Sequence, residues 1–161
     1  MKRALFCLLA ILFTGFVSTA SARVVRPAQD FTWIDYNGKT ASLKSLRGQA
    51  VVVLIAPSPR SWTFRSQIGQ LQKAYQRFAA QKLVCFAAFT QEGGVVRSNI
   101  PFVTAADGPN VAFRYEVAKG FAIAIIGPDG NLDCISTKVV PAQRILDIMN
   151  ANFAVQDQMR R

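Results

Sequence analysis

The sequence predicts a single α/β domain in which helices flank a central mixed β-sheet, with a small β-hairpin on its N-terminal side. Two short apolar runs, residues 50–56 and 83–89, do not alternate between apolar and polar, which is typical of strands buried on both faces. Residues 64–81 between them repeat apolar side chains at helical spacing. A buried strand, an amphipathic helix and a second buried strand are the unit from which parallel sheets are built.

The hairpin is the first element in chain order. Residues 31–34 are aromatic or β-branched, and they are followed by Asn37-Gly38, a dipeptide favoured in tight hairpin turns. Residues 41–46 then predict one helical turn, which Gly48 ends before the first buried strand.

The long helix between the buried strands is predicted to be amphipathic. Its apolar side chains are Phe64, Ile68, Leu71, Tyr75 and Phe78. The polar side chains between them are interpreted as a solvated face, consisting of Gln67, Gln70, Gln72, Lys73, Gln76 and Arg77.

The C-terminal half begins with a predicted loop or short irregular helix over residues 91–99, because Gly93-Gly94 disfavours regular structure there. Residues 101–103 are expected to be extended, and residues 107–115 to form a short helix.

Two further strands and a helix complete the domain. Strands at residues 121–126 and 132–137 should pair antiparallel, because Gly-Pro-Asp-Gly-Asn between them is a strong turn sequence. The last helix should begin at Pro141, and the tail from residue 154 onward is predicted to be frayed.

The N-terminus predicts export. Lys2 and Arg3 precede an apolar run over residues 4–17, and Ala20-Ser21-Ala22 offers a small-residue cleavage site. We therefore expect a signal peptide at residues 1–22, one domain at 23–161, and a periplasmic or secreted protein. The alternative, an uncleaved anchor, is disfavoured because a membrane span needs roughly 20 apolar residues.

Charge and composition exclude several functions. Nineteen Lys and Arg against nine Asp and Glu give a net charge of +10, spread along the chain rather than gathered in a stripe. We therefore expect attraction to anionic surfaces but no nucleic-acid partner. The chain has no histidine, so the usual general base and the commonest zinc ligand are missing, and no cofactor or metal is expected.

Short fragments spread along residues 27–153 form a recognisable series. They are Asp30-Phe31-Thr32, Asn37-Gly38-Lys39, Leu46-Arg47-Gly48, Val51-Val52-Val53, Ile100-Pro101-Phe102, Asp107-Gly108 and Ile125-Ile126-Gly127-Pro128-Asp129-Gly130. In this order and spacing they resemble the thioredoxin-like superfamily, in particular the exported redoxin branch that includes peroxiredoxins and periplasmic thiol-disulfide oxidoreductases. The resemblance implies a thioredoxin-like fold.

The resemblance also implies that the site lies in the loop after the first buried strand, as Cys-x-x-Cys or Pro-x-x-x-Thr-x-x-Cys. Pro59, Thr63 and Ser66 fit the second spacing with Ser in place of Cys, whereas counting from Pro57 does not place Thr. A serine hydroxyl lacks the accessible anion that makes a thiolate reactive, so the site is expected to be degenerate and redox-inactive. The cis proline that thioredoxin-type members carry before the third strand is also missing from the residues preceding Phe121.

We expect this loop to bind rather than react, because arginines, hydroxyls and a helix N-terminus can hold an anion. In the alternative interpretation, Trp62 and Phe64 pack into the loop, hydroxyls cap the helix and the arginines are merely solvated. The candidate site residues are Pro59, Arg60, Ser61, Trp62, Thr63, Arg65 and Ser66.

Three functions follow from this sequence. The first is an exported, redox-inactive binding or accessory module whose partner is an unknown protein or small anionic ligand. The second is a thiol oxidoreductase or antioxidant protein that uses Cys85 or Cys134, the cysteines left after signal cleavage. In the resembled fold these lie on opposite outer strands, about 14 Å apart, too far for a disulfide. The third is a basic protein that associates with anionic membrane surfaces.

Overall fold

The computed structural model describes residues 26–78 and 83–159, so the predicted signal peptide lies outside the described residues. The elements, in chain order, are β1 (Thr32–Ile34), β2 (Thr40–Ser42), a 3-10 helix (Leu43–Leu46), β3 (Val51–Ala56), α1 (Trp62–Phe78), β4 (Val84–Phe89), β5 (Phe102–Thr104), α2 (Gly108–Arg114), β6 (Ala122–Ile126), β7 (Leu132–Ser136) and α3 (Ala142–Met159).

The described strands form one mixed sheet and one hairpin. The sheet order is β5-β4-β3-β6-β7, in which β3, β4 and β5 are parallel and β6 and β7 are antiparallel to their neighbours. β1 and β2 pair antiparallel, as Asn37-Gly38 predicts. The predicted α/β architecture is confirmed, with one correction: residues 102–104 pair as a strand beside β4, so Cys85 does not lie on an outer strand.

Helices cover both faces of the sheet. On one face α1 and α3 pack against side chains such as Leu54, and on the other α2 and the hairpin enclose Val53 and Phe86. β3 is buried at every residue because both faces are covered, which is why its sequence is apolar throughout. Within the described residues, no helix is long and apolar enough to cross a membrane.

Two details of the helices differ from the sequence predictions. Gln67 does not lie on a solvated face, because its side chain is fully buried and bonded to Val140. The C-terminal segment is not frayed from residue 154, since α3 continues to Met159.

Gly108 fixes the position of α2 against the sheet. A Cβ at this residue would overlap the backbone carbonyl of Phe89, so only glycine allows the helix to approach the end of β4 so closely. Asp107 caps this helix, as its carboxylate accepts a hydrogen bond from the Asn110 N–H at 2.9 Å. The start of α2 therefore packs directly on the end of β4.

Candidate functional site

The loop between β3 and α1 lies at the carboxyl end of β3. The chain leaving β4 is bonded to it: the Thr90 N–H donates to the Ala56 carbonyl at 2.9 Å, and the N–H groups of Gln91 and Glu92 donate to the Pro57 carbonyl at 3.1 and 3.0 Å. The start of β6 lies alongside, because Ala122 pairs with Ile55. Three segments distant in sequence therefore meet at this end of the sheet.

Ser61 occupies the N-cap position of the helix that follows the loop, whereas Thr63 and Ser66 lie inside that helix. The Ser61 carbonyl accepts a hydrogen bond from the Arg65 N–H at 3.1 Å, and the helix begins at the next residue. The Ser61 Oγ is buried, and within the described part of the chain it has no hydrogen-bond partner. A serine at this position usually stabilises a helix by accepting a bond from a first-turn N–H. Here that bond is not formed.

A groove of about 390 Å³ runs between the start of α1 and the loop after β4. We call it the arginine groove because Arg60, Arg65 and Arg97 all line it. One carboxylate is present: Glu92 Oε1 lies 3.4 Å from Arg60 Nη1. The two walls are close, since a Cβ on Gly94 would lie 3.1 Å from the Pro59 Cγ.

Of the seven predicted site residues, only some line the arginine groove. Pro59, Arg60 and Arg65 line the arginine groove, whereas the hydroxyl residues Ser61, Thr63 and Ser66 are half-buried and do not. Trp62 is 71% exposed and so does not pack into the loop, while Phe64 is fully buried.

Arg97 and Glu92 complete the groove, and the sequence predictions missed both. The only local signal was Gly93-Gly94, which correctly predicts an irregular segment, since residues 91–99 form neither helix nor strand. No local pattern shows that this segment lies against α1. The two meet because β3 and β4 are parallel neighbours, so α1 after β3 and residues 91–99 after β4 leave from the same end of the sheet.

The two described cysteines lie away from the loop. Cys85 is a free thiol within β4, and burial raises its pKa to about 12. It is therefore neutral at physiological pH and is a poor nucleophile. Cys134 lies on β7, and strands β3 and β6 separate it from Cys85. No disulfide joins the two residues.

A second cavity, of about 770 Å³, lies on the other side of residues 90–92. Its lining includes Gln91, the 82% exposed Phe113, Val117 and Lys119. The segment before β6 borders it through Gly120, and the described residues contain no cis peptide bond. The segment before β6 therefore has neither the proline nor the cis peptide bond of thioredoxin-type members.

Glu116 borders this cavity with an unusual backbone conformation. It ends α2 with φ of 60°, and the N–H of Val117 donates to the Ala112 carbonyl at 2.8 Å, which makes a Schellman-type end where glycine is favoured. The side chain pairs with Arg26 at 2.7 Å. We assign this residue a structural role because its carboxylate is already engaged.

Comparisons with known proteins agree with this geometry. The sequence profile of the AhpC/TSA family matches residues 24–133. No curated protein sequence matches the chain.

Solved structures match over most of the chain at low sequence identity. A thiol:disulfide interchange protein of the thioredoxin family from Chlorobium tepidum is 19% identical with a TM-score of 0.58, covering 83% of this chain and 99% of that one. The thioredoxin domain of a Bacteroides vulgatus thiol-disulfide oxidoreductase is 18% identical (TM-score 0.58; 75% and 91% covered). A reduced 2-Cys peroxiredoxin from Plasmodium vivax is 16% identical (TM-score 0.55; 85% and 97% covered). These similarities confirm the thioredoxin-like fold.

Proposed function

The chain belongs to the AhpC/TSA family, and we propose that it is an exported member whose β3–α1 loop binds a partner protein or small anionic ligand and performs no thiol chemistry. One observation carries the proposal: residues 57–66 contain no cysteine, and Ser66 stands at the family's Pro-x-x-x-Thr-x-x-Cys spacing. A serine hydroxyl cannot supply the thiolate on which peroxide reduction or disulfide exchange depends.

The surroundings of the loop support binding over reaction. Ser66 lies inside α1, half-buried, and the chain has no histidine to act as its base. Cys85 is buried and neutral, so it does not substitute for the missing group. The arginines beside the loop instead offer charge-assisted hydrogen bonds to an anion.

Peroxide and disulfide turnover by the purified domain tests this proposal. We expect no consumption of hydrogen peroxide with a thiol reductant and no catalysed reduction of insulin disulfides. Turnover by the unmodified protein that is lost in Cys134→Ser would contradict the proposal and favour the thiol oxidoreductase.

Adding the missing thiol tests whether Ser66 occupies the ancestral position. We expect Ser66→Cys to give a thiol that peroxide oxidises faster than the thiol of Thr63→Cys, its matched control one turn earlier. Both reactions should be compared in a Cys85→Ala, Cys134→Ala background. Equal rates for the two variants would remove Ser66 as the replaced nucleophile.

Export is tested separately by mass spectrometry of the chain expressed at full length. Cleavage after Ala22 would leave Arg23 as the first residue. A product that keeps residues 1–22 would contradict an exported, processed protein, without affecting the binding role of the loop.

A further inference from the structure

We propose that the arginine groove binds an acidic, partly apolar segment of a partner protein, and that Glu92 occupies part of this site in the free protein. The inference rests on the proposed binding role of the loop and adds the chemistry of the partner.

The groove has unpaired positive charge. Of its three arginines, only Arg60 has an ion pair within residues 26–78 and 83–159; Arg65 and Arg97 have none there. Guanidinium groups bind carboxylates through paired hydrogen bonds and are weakly hydrated, which suits them to recognising acidic side chains. The groove therefore offers two guanidinium groups to an acidic ligand without breaking an existing pair.

The third arginine, Arg60, already binds a carboxylate, that of Glu92. The Glu92 carboxylate lies 3.4 Å from Arg60 Nη1, and the two side chains are 60% and 84% exposed. Exposed pairs of this kind contribute little to stability and are readily exchanged. A carboxylate from a partner can thus replace that of Glu92 at Arg60.

The exposed apolar edge of the groove argues for a ligand with an apolar body. Val95 lines the groove and is 86% exposed, and Pro59 on the opposite wall is half-buried, whereas Phe64 and Ile68 are already covered by the fold. An inorganic anion would leave Val95 in water, whereas a segment that alternates acidic and apolar side chains would cover it. The net charge, +10 for the whole chain and +8 without the two basic residues of 1–22, attracts such a segment from a distance.

Calorimetric titration with a designed peptide tests the inference. The probe is the blocked pentapeptide Glu-Leu-Glu-Val-Glu, and its neutral control is Gln-Leu-Gln-Val-Gln. We expect the acidic peptide to bind and the neutral one to bind at least about tenfold more weakly, because each lost charge-assisted contact is worth about that factor. Glutarate and inorganic phosphate, which lack the apolar body, should also bind more weakly than the peptide.

Matched variants locate the binding. Arg65→Gln and Arg97→Gln should each weaken the acidic peptide about tenfold. Arg77→Gln, on the same helix but outside the groove, should leave the affinity unchanged. Glu92→Gln should strengthen binding about threefold, because Arg60 is released from an exposed pair.

Several results would overturn the inference. They are absence of peptide binding, equal binding of the neutral peptide or of glutarate, identical affinities for Arg97→Gln and Arg77→Gln, and weaker binding by Glu92→Gln. If the peptide binds but the groove variants have no effect, the arginine groove is not the binding site, whereas a binding role for the protein is still supported. Thiol-dependent turnover would instead refute the proposed function, whatever the groove binds.

Discussion

The first two turns of α1 both carry polar side chains but use them in opposite ways. In the second turn, Gln67 donates to the Val140 carbonyl at 3.0 Å and accepts from the Val140 N–H at 2.7 Å. At the start of the helix, Ser61 has a buried Oγ without a described partner, and Arg65 has no ion pair among the described residues.

This difference separates polar groups that hold the fold from groups left available for binding. A buried amide must be hydrogen-bonded, and Gln67 meets this requirement by fixing the chain just before α3 against α1. Family resemblance alone does not distinguish these two roles, since both turns belong to the matched region. The hydrogen bonds do, because Gln67 is bonded within the fold whereas the Ser61 Oγ and the Arg65 side chain have no such partner among the described residues.

The largest expected effect comes from Gln67→Leu. This change keeps the side-chain volume but leaves the N–H and C=O of the buried Val140 unpaired, which should lower the free energy of unfolding by about 3 kcal/mol. Urea unfolding measures it, with Gln76→Leu on the exposed side of the same helix as control. A loss no larger than that of the control would mean that the two hydrogen bonds do not stabilise the fold.

The second effect concerns Cys85, which we interpret as a structural residue of the core. A reactive Cys85 thiol would contradict this interpretation. The pKa of Cys85 is about 12 in the folded protein and near 9 in the unfolded chain. The neutral thiol therefore stabilises the fold fully below pH 9, and this contribution is lost as pH rises toward 12. At pH 10.5 the loss should be about 2 kcal/mol.

Cys85→Ala isolates this contribution. Its unfolding free energy should fall less steeply between pH 9 and 10.5 than that of the unmodified protein. Burial and then the Asp30 carboxylate also raise the pKa of Tyr115, but this effect is common to both proteins and cancels. Parallel pH profiles would show that the Cys85 thiolate forms in the folded protein.

Strand β3 and Gln67 show which parts of the fold could be predicted from the sequence and which could not. The apolar pattern predicts the strands and helices because burial on both faces leaves a direct signature, as in β3. The apolar pattern alone places Gln67 on the solvated face, because a glutamine does not count as an apolar side chain. Its spacing of three from Phe64 and four from Leu71 places it on the buried face, and its partner is 73 residues away.

The site was less predictable than the fold. The resemblance predicts the loop, and the loop sequence supplies Pro59, Arg60 and Arg65, but Arg97 and Glu92 reach the arginine groove only through the pairing of β3 with β4. The resemblance could not supply them, because the motif spans only residues 59–66.

A smaller effect is expected for Gln70→Ala. This variant compares a partly buried hydrogen bond of α1 with the fully buried ones that Gln67 makes. Gln70 Oε1 accepts one hydrogen bond, from the Ala142 N–H at 3.1 Å, in a partly buried position. Water can replace part of this bond, so the unfolding free energy should fall by about 1 kcal/mol. Urea unfolding of Gln70→Ala beside Gln67→Leu checks the order, and an equal or larger loss for Gln70→Ala would contradict it.

The smallest effect distinguishes the start of α1 from an ordinary helix end. Replacing a serine N-cap by alanine commonly costs about 1 kcal/mol because a first-turn N–H loses its acceptor. The Ser61 Oγ accepts no such bond among the described residues, and its burial without a partner is itself unfavourable. Ser61→Ala should therefore change the unfolding free energy by less than about 0.5 kcal/mol. A full 1 kcal/mol loss in urea unfolding would show that the hydroxyl caps the helix in solution, and Ser61 would then belong with Gln67 to the scaffold.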